Sequence, residues 1–173
     1  MPLSHFEAER FRYYILAAQR LGSRQLHEYT KPLGLTPAQS EVLLILNQWQ
    51  PITLKELGSL LVCETGSPSR LIERLVKDRL VDKVADPKDG RYVLLQLTET
   101  GTQKVQAIRQ IEEQVHDDLS KLFSDEELSL VNNTLEKMLS CFSVAEALIH
   151  RKFMKPRGEG APHSLSNIPS ELP

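Results

Sequence analysis

Apolar residues recur at helical steps through most of this chain, and the pattern gives way only once, to a run of β-forming residues between 80 and 98. Over residues 4–30, Phe11, Tyr14, Ile15, Ala18 and Leu21 share one helical face, which predicts a long helix. Ser4 and Glu7 have the spacing of a capping box, in which the serine oxygen accepts an orphan amide and the glutamate reaches back. The segment "KPLG" ends that helix. A second helix starts in "LTPAQSEVLLILNQW", with Thr36 as N-cap, Pro37 at the first helical position and Gln39 completing a box; Pro51 stops it. In "TLKELGSLL", Thr53 and Glu56 repeat the box, and Leu54, Leu57, Leu60 and Leu61 form the buried face of a short third helix.

Gly66 suits a turn, and Ser67 followed by Pro68 reads as an N-cap with a first-turn proline. Leu71, Ile72, Leu75 and Val76 then form the apolar stripe of a fourth helix, with Ser69, Arg70, Glu73, Arg74 and Lys77 on its other faces. The segments "LVDKVAD" and "RYVLLQLT" predict two strands around "PKDG", a β-hairpin with a glycine in its turn. After Gly101 a long helix is expected, striped by Val105, Ile108, Ile111, Val115, Leu119 and Leu122. Ser124 and Glu127 box the start of one last helix, whose stripe runs from Leu128 through Val131, Leu135, Met138, Phe142 and Ala145 to Ile149. Residues 151–173 hold four of the ten prolines and few large apolar residues. They read as a flexible tail, basic at its start through Arg151, Lys152, Lys155 and Arg157.

Charge sharpens this picture. The chain has 173 residues and a formal net charge of -2. Residues 102–150 carry four bases against nine acids, while residues 66–91 carry seven bases against five acids. One part of an acidic protein is therefore basic, and it holds the fourth helix and the hairpin. The two cysteines, Cys63 and Cys141, make no disulfide framework or zinc ribbon. No signal-peptide pattern and no apolar run near membrane-spanning length is seen, so the expected location is the cytoplasm.

Helix, helix, short helix, turn, helix, hairpin is the order of a winged helix-turn-helix, here over residues 36–98. In such a unit the second helix of the turn lies in the major groove, with its N-terminal residues at base edges. Ser67, Pro68, Ser69, Arg70 and Arg74 are then the candidate groove residues; an arginine can read guanine or clamp phosphate, and both roles stay open. Lys88 and Arg91 bracket the hairpin tip and suit a minor groove. Asp86 and Asp89 would repel phosphate unless they pair with Arg91 and stiffen the tip.

With "LTPAQSEVLLIL", "TLKELGSLLVCETGSPSRLIERLVKDRLV" and "DPKDGRYVLLQLTETG" in view, the chain resembles the MarR-type transcriptional regulators. The Asp-x-x-Asp-x-Arg wing followed by Leu-Thr-x-x-Gly is the most specific of these features, and the resemblance covers residues 4–150. Lys88 departs from the arginine many members carry there, and the tail after 150 lies outside the pattern. The resemblance implies a mainly α fold with a small β-hairpin wing: a winged helix-turn-helix DNA-binding lobe plus a helical dimerisation lobe. Residues 1–35 would be an N-terminal dimerisation helix, 36–101 the DNA-binding lobe, 102–150 the C-terminal dimerisation helices and 151–173 the tail. It further implies a homodimer on a pseudo-palindromic double-stranded operator, acting as a repressor released by a small-molecule inducer or another signal. By position, Ser67, Ser69, Arg70 and Arg74 would contact the major groove, and Lys88 and Arg91 would be wing contacts.

Other residues carry two readings. Cys63 is either a small buried hydrophobe or a redox switch close to the recognition helix; Glu64 beside it does not favour a thiolate. Cys141 reads as packing. Phe11, Tyr14 and Trp49, with Tyr13, are either core or the lining of an inducer pocket. His5, His27, His116, His150 and His163 form no close pair, and His116 with Asp117 and Asp118 reads as a solvated helix face, so no metal site is expected. No phosphate loop, nucleophile elbow or metal box is present, which points away from an enzyme and from any cofactor. A winged helix used for protein contacts is the remaining alternative.

Overall fold

Capping boxes set where several helices begin. In the computed structural model, which describes residues 5–63 and 67–156, α1 spans His5–Thr30 and α2 spans Pro37–Trp49. Ser4, and with it the first box, lies outside the described residues. At α2 the Thr36 side chain accepts from the Gln39 amide (3.2 Å), while the Gln39 side chain accepts from the Thr36 amide (2.8 Å). Thr53 and Glu56 do the same at α3 (Leu54–Leu60), and Ser124 and Glu127 at α6 (Asp125–Leu139). Between these lie α4 (Pro68–Lys77) and α5 (Glu99–Leu122), and α7 (Val144–His150) follows.

The hairpin strands are β2 (Val81–Ala85) and β3 (Val93–Leu97). They pair antiparallel, with Val81 opposite Leu97 and Ala85 opposite Val93. A third strand that the sequence pattern did not signal, β1 (Ile52–Thr53), joins the far edge of β3, giving the order β1-β3-β2. Two residues are too few to show a period. The core sits where α2, α3, α4 and α5 close over this sheet: Val42, Leu43, Ile45, Leu46, Leu57, Ile72, Leu75, Leu95 and Val105 are all buried. Each such side chain contributes about 1.5–3 kcal/mol of burial. Leu54, expected on the buried face of α3, is instead exposed.

Three boundaries differ from expectation. The fifth helix starts at Glu99 rather than after Gly101, because Thr98 caps it and puts Gly101 inside the first turn. The single last helix divides at residues 140–143. There, Cys141 and Phe142 donate to carbonyls three residues back, and the Ser140 hydroxyl donates to Lys137. The break re-aims α7 against α3, burying Ala145 and Ala147. Within residues 151–156, expected as the start of a free tail, two residues pack on the fold: Met154 is buried and Arg151 is nearly so, while Lys152, Phe153, Lys155 and Pro156 stay exposed. By contrast, α1 buries only Thr30 in the single chain, and Phe11, Tyr14 and Leu21 are 42%, 61% and 58% exposed.

Candidate nucleic-acid interface

The amphipathic pattern of residues 67–77 fixes which way α4 faces. Ile72 and Leu75 are buried, which leaves Ser69, Arg70, Glu73, Arg74 and Lys77 at the surface. Ser67 occupies the N-cap position in extended conformation without a side-chain cap bond, and Pro68 takes the first turn. The amides at this end and the helix dipole favour an anion. Arg74 Nε lies 3.2 Å from Asp78 Oδ2, one turn on, an exposed pair worth little in stability. Arg70, nearer the N-terminus, has no such partner among the described residues.

The far end of α4 is anchored to the wing. The Leu80 amide donates to Leu75 and the Arg79 amide to Val76, a Schellman closure with Arg79 left-handed at φ 58°. Thr98 then joins three elements. Its amide donates to the Leu80 carbonyl (3.1 Å), its hydroxyl donates to the Arg79 carbonyl (2.7 Å), and its oxygen accepts from the Gly101 amide (2.9 Å). The Leu-Thr-x-x-Gly signature is therefore the joint holding α4, β3 and α5 in register.

At the wing tip the Asp86 amide donates to Tyr92, and the Tyr92 amide to Asp89. Asp89 accepts from Arg91 Nε at 2.9 Å and Nη2 at 2.7 Å and also from the Arg91 amide. Arg91 keeps 86% of its side chain exposed. The Arg91 guanidinium holds the Asp89 carboxyl below its usual range, and Asp89 in turn raises Arg91. Asp86 does not pair with Arg91; its Oδ1 accepts the Lys88 amide at 2.8 Å, an Asx turn that shapes the loop. Lys88 is exposed beside it.

Away from this face lies a cavity of about 310 Å³ between α1, α2 and α5. Leu26, Leu44, Ile108 and Ile111 wall it, and Ser40, Glu41, Cys63 and Arg151 reach it. Phe11 and Tyr14, expected to line a pocket, stand exposed on α1, and Trp49 borders a neighbouring recess instead. The three are not brought together, because Phe11 and Tyr14 lie exposed on a part of α1 that none of the other described residues buries. Glu112, also in the lining, has its carboxyl raised chiefly by burial.

Cys63 is half-buried, and its thiol is pushed up to about 11, first by burial and then by the Glu41 carboxylate. Its amide donates to Glu41 Oε2 at 2.8 Å. Sequence reasoning missed Glu41 and placed Arg151 in the tail. Glu41 was hidden because a charge inside an apolar helical run reads as an exposed position. The cue available was its place among Val42, Leu43 and Leu44, where an exposed face is narrow. Among the described residues no group of three or more His, Cys, Asp or Glu is placed to hold a metal ion. No helix among them is long and apolar enough to cross a membrane.

Residues 35–101 match the family described as "Winged helix DNA-binding domain". The chain is 33% identical over 117 residues to the multiple antibiotic resistance protein MarR of Escherichia coli (strain K12), covering 67% of this chain and 81% of that protein. It is 24% identical over 132 residues to the HTH-type transcriptional repressor IacR of Pseudomonas putida, covering 76% of this chain and 79% of that one. Among solved structures, a mutant MarR from E. coli complexed with operator DNA superposes with a TM-score of 0.68 at 29% identity, over 80% of this chain and 99% of that one.

Proposed function

This chain belongs to the MarR family of winged-helix, DNA-binding transcriptional regulators, which are not enzymes, and we propose that it works as a homodimer on a pseudo-palindromic operator. In this reading α4 of each subunit enters a major groove through Ser67–Arg74, and each 86–91 wing enters a flanking minor groove through Arg91 and Lys88. Bound there, the dimer represses.

The observation that carries the reading is the common mount of the two exposed cationic elements. Thr98 bonds the end of α4 to the end of β3, so Arg70 and Arg91 are presented by one rigid unit. The uncovered apolar residues of α1 and α6, among them Phe11, Tyr14, Leu21 and Leu130, support a second copy as their cover. The cavity supports a compact organic ligand as inducer: its walls are mostly apolar, with a few polar side chains such as Ser40, Glu112 and Arg151 in the lining.

Titration of a fluorescent duplex from the region upstream of the protein's own gene, at several salt concentrations, tests this reading. Affinity falls steeply with salt, because each phosphate contact releases counterions. Arg70→Ala and Arg91→Ala each weaken binding, and where the side chain clamps phosphate the salt slope falls by about 1. Binding that ignores salt, or that neither substitution alters, points to a protein-contact module.

A further inference from the structure

One buried carboxylate gathers three parts of the chain. Glu41 of α2 is 7% exposed. Its Oε1 accepts from the Val62 amide at 2.9 Å, and its Oε2 accepts from the Cys63 amide at 2.8 Å. Oε1 also receives Arg151 Nη1 at 2.5 Å, across 110 residues of sequence. Val62 and Cys63 are the last described residues before Ser67, the N-cap of α4. Glu41 therefore holds the chain just before the recognition helix begins.

A carboxylate at this depth needs a counter-charge, since burying an unpaired charge is costly. Arg151 is the counter-charge, and a specific local structure delivers it. Helix α7 ends in a Schellman closure: Lys152, left-handed at φ 62°, donates to Ile149, and Phe153 donates to Leu148. Ala145, Ala147 and Met154 bury that segment, and the Phe153 ring lies 5.1 Å from the Arg151 guanidinium. The arginine side chain is left only 15% exposed.

We propose that Arg151 is a positioning residue for operator binding: it holds the Glu41 carboxylate in place, and Glu41 fixes the entry of α4 through the Val62 and Cys63 amides. The proposal rests on the DNA-binding reading above and adds the C-terminal segment to it. Loss of Arg151 leaves the buried Glu41 carboxylate without its counter-charge, so it shifts within its pocket or turns outward. Either change weakens its hold on two amides. Arg151 grips Glu41 through Nη1, and both side chains belong to the cavity lining.

The test compares full-length wild type, Arg151→Met and Arg151→Lys. Operator affinity is measured on the upstream duplex, and amide hydrogen exchange is followed at Val62, Cys63, Leu46 and Ile108. Arg151→Met should weaken binding about tenfold or more, while Arg151→Lys, which keeps the charge, should stay within about threefold of wild type. Val62 and Cys63 should lose protection in Arg151→Met while Leu46 and Ile108 keep theirs. Wild-type affinity in Arg151→Met overturns the proposal. So does failure of the lysine to rescue, or equal loss of protection at all four amides, which marks a general loss of structure. If wild type itself does not bind the duplex, the proposed function fails there. Unchanged protection of Val62 and Cys63 in Arg151→Met would still sink the Glu41–Arg151 coupling on its own.

Discussion

Gly101 lies so close to the carbonyl oxygen of Leu80 that a Cβ built on it falls far inside contact distance. The obstacle is backbone, tied to Thr98 by a hydrogen bond, and cannot swing aside. Helix propensity alone says that alanine in the first turn of α5 should gain up to about 1 kcal/mol over glycine. Overpacking against fixed backbone runs the other way, by about 1–3 kcal/mol. Gly101→Ala should therefore lose about 1 kcal/mol net, read as a lower denaturant midpoint at unchanged slope. An unchanged or raised midpoint would show that the joint between α4 and α5 opens freely.

Arg79 presents the opposite case. It holds the left-handed position that closes α4, where a Cβ costs roughly 1 kcal/mol and glycine costs none. Its structural duties pass through its amide and carbonyl, which any residue supplies. Arg79→Gly should raise stability by about 0.5 kcal/mol after the added flexibility of the unfolded chain is counted. Thermal melting in low salt decides the sign, and a fall would mean that the side chain contributes contacts of its own.

These two residues show what the sequence made legible. The helix starts were readable because Thr36–Gln39, Thr53–Glu56 and Ser124–Glu127 carry their hydrogen-bond partners within three residues. The wing was readable because Asp89 and Arg91 also act locally. Thr98 and Gly101 stood out as a motif, yet their reason lies in Leu80, which only the fold brings near. Glu41 with Arg151 was hidden for the same cause, and a basic, proline-rich ending disguised the packed segment 151–154. The break at 140–143 escaped because Phe142, Ala145 and Ile149 continue an apparent stripe across it. Periodicity reports which residues are apolar, not whether the backbone stays helical between them.

At the wing, charge and geometry predict opposite signs. Asp89→Asn removes a negative charge from a surface meant for phosphate, which by Coulomb attraction alone should tighten operator binding. It also removes half of the chelate that aims Arg91. We expect aim to win, with binding weaker by roughly threefold for Asp89→Asn and about tenfold for Arg91→Ala. The pair also sets a pH window. Asp89 has its folded value lowered, so its contribution is fully present above the unfolded carboxyl value and is lost only as pH falls through the folded one. Between about pH 5 and 8 the wing pair should therefore add no pH dependence to binding. Tighter binding by Asp89→Asn in an anisotropy titration would reverse the assignment of Asp89 as a support.

Cys63 tests whether nearness to the recognition helix makes a redox sensor. Its thiol sits at about 11, raised by burial and by Glu41. Near pH 7.5 such a thiol stays almost wholly protonated, and the thiolate is the reactive species. Arg151 pulls the other way but is the weakest of the influences on it. Millimolar peroxide should then leave operator affinity unchanged in both wild type and Cys63→Ser. Alkylation of Cys63, followed by mass at the peptide level to separate it from Cys141, should stay slow at neutral pH and accelerate as pH climbs toward 11. Peroxide that releases wild type from the duplex but not Cys63→Ser would show that Glu41 lets go of the 62–63 segment often enough to expose a reactive thiol. The clasp on α4 would then itself be the sensor.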